Sequence, residues 1–532
     1  VSSMSEAQHD RLNLTQIQEW KFESYRRATS DRPLQLMVVW HNTATRELLL
    51  DAIRNFYSLQ PDQAWPAGIE VKVIKAPEEL VSPLAIGNIN PSDRFRTGLK
   101  SRERKQAWKA WNNQLKVARR QRIIEWIKFF KNNTLSNAYN LALIETEDSE
   151  DDHERDRESR SIKSAVREAA VREAVGTQMI KPIVPGDEDK GESKGRAKNA
   201  VADLLMRQIG AMYGSPTEIY AAAGLPDGVA NRLIVVGLCR VRHTKENLLD
   251  YCMAVRLLPN GRIEARLPHT SHWQPYIDAT LEIGRHILQH RSGTGRLRSD
   301  QLRMTETQLA KFAYDIVNED MGAPTLIMLM ADEWRGKVWP QMNNPSMVAD
   351  TLDFSKVNGL GVREKITPRH RPGLRVVRLR ESGTSGETPQ YVATADADWS
   401  EIEEVKAVRR AAGLIDTQAS NKFFHYLSIA EMPQTASYQK IDSPKRGKGG
   451  GESFSAQSIV EIVPFFLQPE DRDNPLPWAR IPHLLRFSFA WGGGGIVAPS
   501  PIHLGYAAIE DQICLLETNE LIEDEEEEEE IE

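Results

Sequence analysis

The pattern of apolar and polar positions predicts strands and helices in turn from about residue 34. An apolar strand at 35–40, a helix over 45–59 and a strand over 69–76 follow one another. This order is typical of a parallel sheet with a Rossmann-like beginning. The next elements are predicted as strand, helix, strand, loop and helix, at residues 141–145, 162–175, 179–185, 186–198 and 199–210. Residues 1–32 are polar and predict a linker with a short helix near 17–27.

From Arg232 onward the pattern changes to long strands in series. Three antiparallel strands are expected over 232–268, with Pro259, Asn260 and Gly261 supplying a turn. Helices, a central strand, a further helix and a strand at 373–381 follow. This is the order of the ribonuclease H sheet. Further strands and helices are predicted at 276–290, 305–318, 423–431, 458–467, 476–491 and 499–517.

The central strand lies within Pro324–Trp339 and ends at Asp332. Its uninterrupted apolar run indicates a strand buried on both faces, and the spacing after it predicts a helix. Ligands are held at the carboxyl ends of strands in open α/β sheets, which makes Asp332 a candidate for chemistry or metal binding. The alternative is an N-cap that satisfies the first N–H groups of the following helix.

Composition indicates a globular chain of two to four domains. Its 532 residues are 40% hydrophobic and 27% charged, and no apolar window reaches the length of a membrane span. With no signal-peptide character at the N-terminus, a cytoplasmic protein is expected. Three widely spaced cysteines argue against a disulfide framework or a zinc site. A start at Val1 rather than Met indicates a piece of a longer polypeptide or a cloned fragment.

The net charge of −7 conceals a basic body and an acidic tail. Residues 517–532 carry eleven acids and no base, so the rest of the chain sums to +4. We expect this tail to be disordered, because like charges at that density repel and little apolar surface is available to bury. It can shield a basic surface, recruit a basic partner or simply add solubility.

Residues 94–131 form an unusually basic segment, with thirteen Lys or Arg against two acids. Trp and Phe are interleaved with these cations, which include Arg119 and Arg120. A long helix of this kind has the electrostatic footprint of a protein that binds phosphate backbones. The alternative is a solvated helix face over an aromatic core, and both hold if the aromatic side chains point inward.

Several stretches, taken in their order, resemble the PIWI-RE family of prokaryotic Argonaute-like proteins. The stretches are GTQMIKPI with AKNAVADLLMRQIG, then GAPTLIMLMADEWRGKVWPQMNNP, GLRVVRLRESGTSGETPQY, FFHYLSIAEMPQT and PSPIHLGYAAIE. The resemblance implies an α/β fold, with a Rossmann-like MID domain followed by an RNase H-like PIWI domain with a mixed sheet. The expected domains are a linker, a MID-like domain with a basic insert, a PIWI domain and an acidic tail, at 1–32, 33–225 (insert 94–131), 226–516 and 517–532.

The resemblance also implies that the MID-like region holds the 5′ end of a guide strand. Gln178 matches the glutamine of the family motif, and the cations expected near it are Lys163, Arg167 and Arg207. A 5′ phosphate needs cationic donors and N–H groups of this kind. Leu204 stands where the family has a lysine, so the match departs from the family pattern there.

The family is named after an Arg and a Glu, and three residues around the strand at 373–381 are the leading candidates. They are Arg378, Arg380 and Glu387, with Glu145 and Glu461 as alternative acids. Arg378 and Arg380 are two residues apart and therefore share one face of a strand. Such a pair suits a bidentate clamp on a phosphate or a carboxylate.

Catalytic Argonautes cleave with carboxylates that hold two divalent ions, and the chain matches this set poorly. The first acid belongs in the middle of the first RNase H strand, where Gly237, Leu238 and Cys239 stand. Asp332 matches the second acid, and the last position falls near His503, Gly505, Tyr506 or Glu510. We therefore expect an inactive domain in which Asp332 is a remnant or a cap, with Mg²⁺ as the candidate cofactor if any is used.

The leading hypothesis is a guided nucleic-acid-binding protein without nuclease activity of its own. The resemblance implies guide and target strands of RNA or DNA, and a DinG-like helicase and a separate nuclease as partners in bacterial defence against plasmids or other mobile elements. The second hypothesis is an active metal-dependent nuclease that uses Asp332 with Glu387, Glu461 or Glu510. The third is a scaffold whose basic helix and acidic tail bind proteins.

Overall fold

The computed structural model describes fifteen stretches of the chain. They are residues 14–84, 101–147, 161–183, 186–187, 190–212, 214–243, 249–290, 302–381, 391–393, 414–416, 423–429, 438–440, 459–471, 473–487 and 498–516. The chain divides into two compact units. The four-stranded unit comprises 14–209, 277–299 and 508–532, and the nine-stranded unit comprises 210–276 and 300–507. The predicted domain boundaries stay predictions.

The four-stranded unit is built on a parallel sheet in the order β2-β1-β3-β4. Its strands are β1 (Leu34–Trp40), β2 (Ile69–Lys75), β3 (Tyr139–Glu145) and β4 (Val175–Ile180). Its helices are α1 (Leu14–Thr29), α2 (Thr43–Phe56), α3 (Glu78–Val81), α4 (Ser101–Asn133), α5 (Lys163–Arg172) and α6 (Gly191–Ala202). The predicted short N-terminal helix and the Rossmann-like beginning are confirmed. The two central strands are buried along almost their whole length, as their continuous apolar runs predict.

Two expectations for this unit are wrong in position. The strand expected from residue 179 begins at Val175, so Gly176, Thr177 and Gln178 lie within β4 rather than closing the preceding helix. The helix expected from residue 199 begins at Gly191, inside the predicted loop. Glycine and lysine mark a loop by composition alone, whereas Ser193, Ala197 and Ala200 at helical spacing bury one face of α6.

The nine-stranded unit contains a mixed sheet in the order β12-β13-β15-β10-β9-β5-β6-β7-β8. Its strands are β5 (Ile234–His243), β6 (Leu249–Leu257), β7 (Ile263–Arg266), β8 (Gln274–Pro275), β9 (Thr325–Met330), β10 (Leu374–Glu381), β12 (Leu414–Asp416), β13 (Tyr426–Ile429) and β15 (Ile459–Phe466). A separate antiparallel pair joins β11 (Tyr391–Ala393) to β14 (Tyr438–Lys440). β5 to β7 are antiparallel, and β9 and β10 add in parallel to β5, which confirms the ribonuclease H order.

Further helices complete the order of elements. They are α7 (Pro216–Ala222), α8 (Asp227–Ala230), α9 (Tyr276–Gln289), α10 (Glu306–Asn318), α11 (Ala331–Trp334), α12 (Pro475–Leu485) and α13 (Ile502–Glu510). α9 and α13 each run from one unit into the other. A capping box at Thr305 and Gln308 starts α10, whose apolar face packs on β5 and β9.

The helix expected after the central strand is much shorter than its spacing indicates. α11 is a single turn, and Gly336 and Pro340 follow within six residues. Trp334 and Trp339 instead enter the core, where Trp339 stacks on Phe354 with ring centroids 4.2 Å apart. Aromatic burial therefore replaces helix propagation here.

Several predicted features lie outside the described residues. These are 94–100 of the basic segment, Glu387 and the acidic tail at 517–532. Within the stretches that the structure describes, no helix has the length and apolarity needed to cross a bilayer.

Candidate nucleic-acid-binding sites

The edge strand β4 carries the first candidate site. Its Thr177 carbonyl oxygen accepts a hydrogen bond of 2.7 Å from Arg167 Nη1 of α5. The same oxygen accepts a second hydrogen bond of 2.7 Å from Gln208 Nε2. The structure thus brings together Arg167 and Gln178, two of the residues predicted from the family motif, and adds Gln208.

Gln208 was missed by the sequence reasoning because of an irregular turn. α6 continues into a π turn, Asp203–Arg207, in which the Gln208 N–H donates to the Asp203 carbonyl over 3.1 Å. A π turn shifts the following residues around the helix axis and is frequent at functional sites. The shifted Gln208 Nε2 lies 3.3 Å from Gln178 Oε1. A buried polar residue at the end of an apolar helix was the available signal.

Gly176 explains how Gln208 approaches β4 so closely. A Cβ at this position would lie 2.6 Å from Leu141 Cδ2 and 3.4 Å from Gln208 Oε1. Gln178, two residues along, is half-buried, and its Nε2 makes no hydrogen bond to any described residue. The Nη2 of Arg167 is likewise not used within the described chain. Two donors from neighbouring elements are therefore available beside one strand edge.

Lys163 and Arg207, the other two predicted cations, have different surroundings. Lys163 is exposed at the start of α5, four residues before Arg167 and on the same face. Arg207 is buried between two carboxylates, with bonds of 2.5 and 2.6 Å to Asp203 and of 2.6 and 3.2 Å to Asp511. Although burial disfavours its charge, these acids raise the pKa of Arg207. Contact of either residue with nucleic acid stays a prediction.

The second candidate site lies on β10 of the nine-stranded unit. Arg378 and Arg380 are fully buried and point to the same side, and both donate to Asn344 Oδ1, over 2.6 and 3.1 Å. Arg378 Nη1 also lies 3.7 Å from Glu461 Oε2 on the neighbouring β15. The clamp expected on a phosphate therefore holds protein acceptors in this structure. Its contact with nucleic acid stays a prediction.

Of the two acids considered for the family pair that the structure describes, Glu145 and Glu461, the one beside these arginines is Glu461. It is the cross-strand partner of Arg380 and receives a 3.1 Å hydrogen bond from His425 Nδ1. Burial disfavours its charge, yet His425 and Arg378 hold the pKa of Glu461 below its usual range. Glu145 belongs to the four-stranded unit, where its carboxylate accepts from the His41 and Asn42 N–H groups at the start of α2.

Asp332 lies in the first turn of α11, directly after β9, as the sequence predicts. Its carboxylate is 3.5 Å from Arg335 Nε and 3.7 Å from Arg380 Nη2. The residue before the helix, Met330, makes no side-chain cap, and no hydrogen bond of the described chain reaches either Asp332 oxygen. Asp332 is thus an ion-paired acid facing β10 rather than an N-cap.

The centre of β5, where a nuclease would place its first acid, is sealed by α13. A Cβ at Gly505 would lie 2.0 Å from Cys239 Sγ, and a Cβ at Gly237 would lie 2.7 Å from the Ile502 nitrogen. Cys239 Sγ donates to the Ile502 carbonyl over 3.2 Å. Helix and strand therefore touch through two glycines, and the space beside the middle of β5 is filled by α13.

Glu333, next to Asp332, is a second acid that the sequence analysis did not single out. It accepts from the Tyr506 hydroxyl of α13, and from the Arg240 N–H of β5 over 3.2 Å. Burial is the main reason that the pKa of Glu333 is raised to about 8. A carboxyl group that holds its proton at neutral pH is a poor ligand for a divalent cation.

These side chains do not fit the two-ion site that the RNase H fold implies. Two-metal catalysis needs several carboxylates around the scissile phosphate, whereas Asp332 faces guanidinium groups and Cys239 stands on β5. Across the described stretches there is no group of three or more His, Cys, Asp or Glu placed to hold a metal ion.

The basic segment forms one long helix, α4, in the four-stranded unit. Trp111, Leu115, Trp126 and Phe130 are buried in the core with the apolar face of α5. The predicted inward-facing aromatic core is thus confirmed for these residues. The two predicted cations differ in exposure, because Arg119 is half-buried and Arg120 is exposed.

The comparisons with known proteins agree with both sheets. Residues 75–217 match the MID domain of pPIWI_RE, and residues 236–513 match the RNaseH domain of pPIWI_RE. Sheets and matches together define an Argonaute-like protein with MID and RNase H-like domains. The second match alone covers more than half of the chain, and the chain belongs to the pPIWI_RE family.

Argonaute and Piwi proteins are among the solved structures that this chain is similar to. Drosophila Piwi is 10% identical, with 90% of this chain and 48% of that chain covered and a TM-score of 0.39. Kluyveromyces polysporus Argonaute with a guide RNA is 8% identical, with 93% of this chain and 48% of that chain covered and a TM-score of 0.41. The C-terminal lobe of a budding yeast Argonaute is 9% identical, with 92% of this chain and 79% of that chain covered and a TM-score of 0.40. The chain thus spans about half the length of the first two, and no curated protein sequence matches it.

Proposed function

We propose that this chain is a guided nucleic-acid-binding protein that holds the 5′ end of a guide strand in its MID domain and does not itself cleave the target. The observation that carries the proposal is the convergence of Arg167, Gln178 and Gln208 on the edge of β4, within the region that matches the MID family model. Charged and amide donors beside one strand edge suit a terminal phosphate. Lys163, exposed on the same face of α5, adds a second cation.

The RNase H-like domain is proposed to hold the guide–target duplex without cutting it. Support comes from Cys239 on β5, the close packing of α13 on that strand, and the ion-paired Asp332. Cleavage would then fall to a separate nuclease and unwinding to a DinG-like helicase, in cytoplasmic defence against plasmids or other mobile elements. Among the similar solved structures, the Kluyveromyces polysporus Argonaute holds a guide RNA, and Aa-Ago holds an externally bound siRNA.

The test is the affinity for 20-nucleotide single strands of DNA and RNA with a 5′ phosphate or a 5′ hydroxyl. We expect the phosphorylated strand to bind at least about tenfold more tightly, since one charge-assisted hydrogen bond contributes about 1.5–3 kcal/mol. Arg167→Gln and Gln178→Ala should reduce this preference. Arg172→Gln is the matched control, because Arg172 lies on the same helix and pairs with Glu168 instead.

The two alternative functions give different results in the same experiment. Cleavage of a complementary strand with Mg²⁺ or Mn²⁺ that is lost in Asp332→Ala would establish the nuclease and contradict the proposed inactivity. No affinity for any oligonucleotide at moderate salt would leave the protein-binding scaffold. Thermal midpoints of all variants, measured alongside, separate loss of a contact from loss of the fold.

A further inference from the structure

α4 carries four exposed cations that lie in a row along one side of the helix. With about 100° per residue, Lys109, Lys116, Arg120 and Lys131 fall within an arc of about 60°. All four side chains are exposed. The buried side chains of the helix, from Trp111 to Phe130, centre about 120° away around its axis. The half-buried Ile127 lies in the same arc and packs on the core, so the row borders the core there while its four cations stay exposed.

No acid interrupts this row in the described part of α4. Glu125 is rotated by about 150° from it and is held by Gln121 over 3.0 Å and by Arg122 at 3.5 Å. None of the four row cations is paired with a carboxylate of any described residue. On an ordinary solvated helix face, Lys and Arg alternate with Asp and Glu, which form i,i+4 ion pairs with them. The row lacks that compensation.

The helix is anchored so that the row is rigid. Arg122, on the buried side, donates to the Leu80 and Ser82 carbonyl oxygens over 3.1 and 2.7 Å. Trp126 is fully buried and packs against Phe130 with ring centroids 5.3 Å apart. The row thus spans 23 residues, from Lys109 to Lys131, which is about 33 Å of a helix fixed to its domain.

We propose that this row binds the phosphate backbone of a nucleic-acid duplex. The row is separate from the strand-end site, by which we mean Arg167, Gln178 and Gln208 beside β4. Its length of about 33 Å is close to one turn of a duplex, about 34 Å. Single-strand binders stack bases on exposed aromatic rings, whereas the described rings of α4 lie in the core, with Trp111, Trp126 and Phe130 buried and Phe129 partly buried. The four exposed positions of the row therefore offer charge without stacking. A straight row of point charges suits a stiff backbone and reads no sequence.

The experiment measures the affinity of the guide-free protein for a blunt 20-base-pair duplex from 50 to 300 mM salt. Replacing Lys109, Lys116, Arg120 and Lys131 by Gln should weaken binding at least about tenfold at 0.1 M salt. It should also reduce the slope of log affinity against log salt by about 3.6, because each of the four phosphate contacts contributes about 0.9. A conservative variant, in which the three lysines become Arg and Arg120 becomes Lys, should keep both values.

A matched control removes four exposed cations of the same four-stranded unit that lie outside α4, namely Arg26, Arg32, Lys75 and Lys190. It should change the affinity by less than about twofold. An equal loss of duplex affinity in the control would show that only net charge matters and would overturn the proposal. Unchanged affinity in the row variant, or lost affinity in the conservative variant, would overturn it as well. The 5′-phosphate preference of single strands should survive in the row variant, so this proposal and the proposed function fail separately.

Discussion

Arg378 of β10 and Glu461 of β15 form an ion pair across 3.7 Å in which neither side chain reaches solvent appreciably. Asn344 Oδ1 and the Met342 carbonyl accept further hydrogen bonds from Arg378, over 2.6 and 3.2 Å. A buried pair of this kind contributes little over apolar packing when it is intact. Removing one partner is costly, because the other charge is left without compensation in a dry surrounding.

We therefore expect Arg378→Met and Glu461→Leu each to lower the free energy of unfolding by about 3–5 kcal/mol, measured by chemical denaturation. The double variant should lose less than the sum of the two. Arg369→Ala is the control, because Arg369 forms a 2.9 Å pair with Glu470 at the surface and should cost less than about 1 kcal/mol. Additive losses at Arg378 and Glu461 would contradict the coupling.

The contact between Gly505 and Cys239 makes a second prediction about the sealed strand β5. Gly505→Ala should destabilise the protein by about 1–3 kcal/mol, because the added Cβ would overlap Cys239 Sγ at 2.0 Å. Cys239→Ala in the same chain removes that atom and leaves a Cβ at 2.8 Å, so a partial rescue is expected. Gly228→Ala serves as the control, because no atom lies within 4 Å of its added Cβ. A neutral Gly505→Ala variant would mean that α13 yields easily.

The order of elements could be predicted from the sequence, whereas the pairing within the sites could not. β1, β3 and β9 are continuous apolar runs, and such runs indicate buried strands directly. Glu461 joins Arg378 and Arg380 only through the register of two strands more than 80 residues apart. Residue type along the chain carries no information on that register.

The strand-end site shows a second limit of the same kind. Gln178 was predicted from a family motif, but Gln208 reaches it through a π turn that no simple 3.6-residue period describes. Glu333 was overlooked beside Asp332 because its burial depends on Tyr506, which α13 supplies from a distant part of the chain. Both residues are polar groups in apolar surroundings, which is a signal for further examination rather than an assignment.

Glu333 makes the stability of the nine-stranded unit depend on pH. Burial raises the pKa of Glu333 to about 8, whereas its value in the unfolded chain is near 4.5. The folded state thus binds the Glu333 proton more tightly than the unfolded chain does. The contribution of Glu333 to stability is therefore complete below pH 4.5 and is lost as the pH rises to about 8. The loss is about 1.4 kcal/mol per pH unit at most.

Glu333→Gln should remove this dependence, because an amide cannot ionise. Between pH 4.5 and 8, the free energy of unfolding should decrease less steeply with pH for the variant than for the natural chain. Glu364→Gln, a change at an exposed glutamate, should leave the slope as it is. An unchanged slope in Glu333→Gln would place the titrating group elsewhere.

Arg207 provides the last prediction, since the sequence assigns it to nucleic acid and the structure surrounds it with Asp203 and Asp511. A lysine keeps the charge but loses the planar fork that bonds both carboxylates at once. We expect Arg207→Lys to lower the free energy of unfolding by about 1–3 kcal/mol and to keep the preference for a 5′-phosphorylated strand. Asp511→Asn should also lower the free energy of unfolding, because it removes one of the carboxylates paired with Arg207. If Arg207 instead bound the 5′ phosphate, Asp511→Asn should strengthen binding of the phosphorylated strand, because Asp511 would no longer compete for the guanidinium group. Normal stability together with a lost 5′-phosphate preference in Arg207→Lys would return Arg207 to the strand-end site.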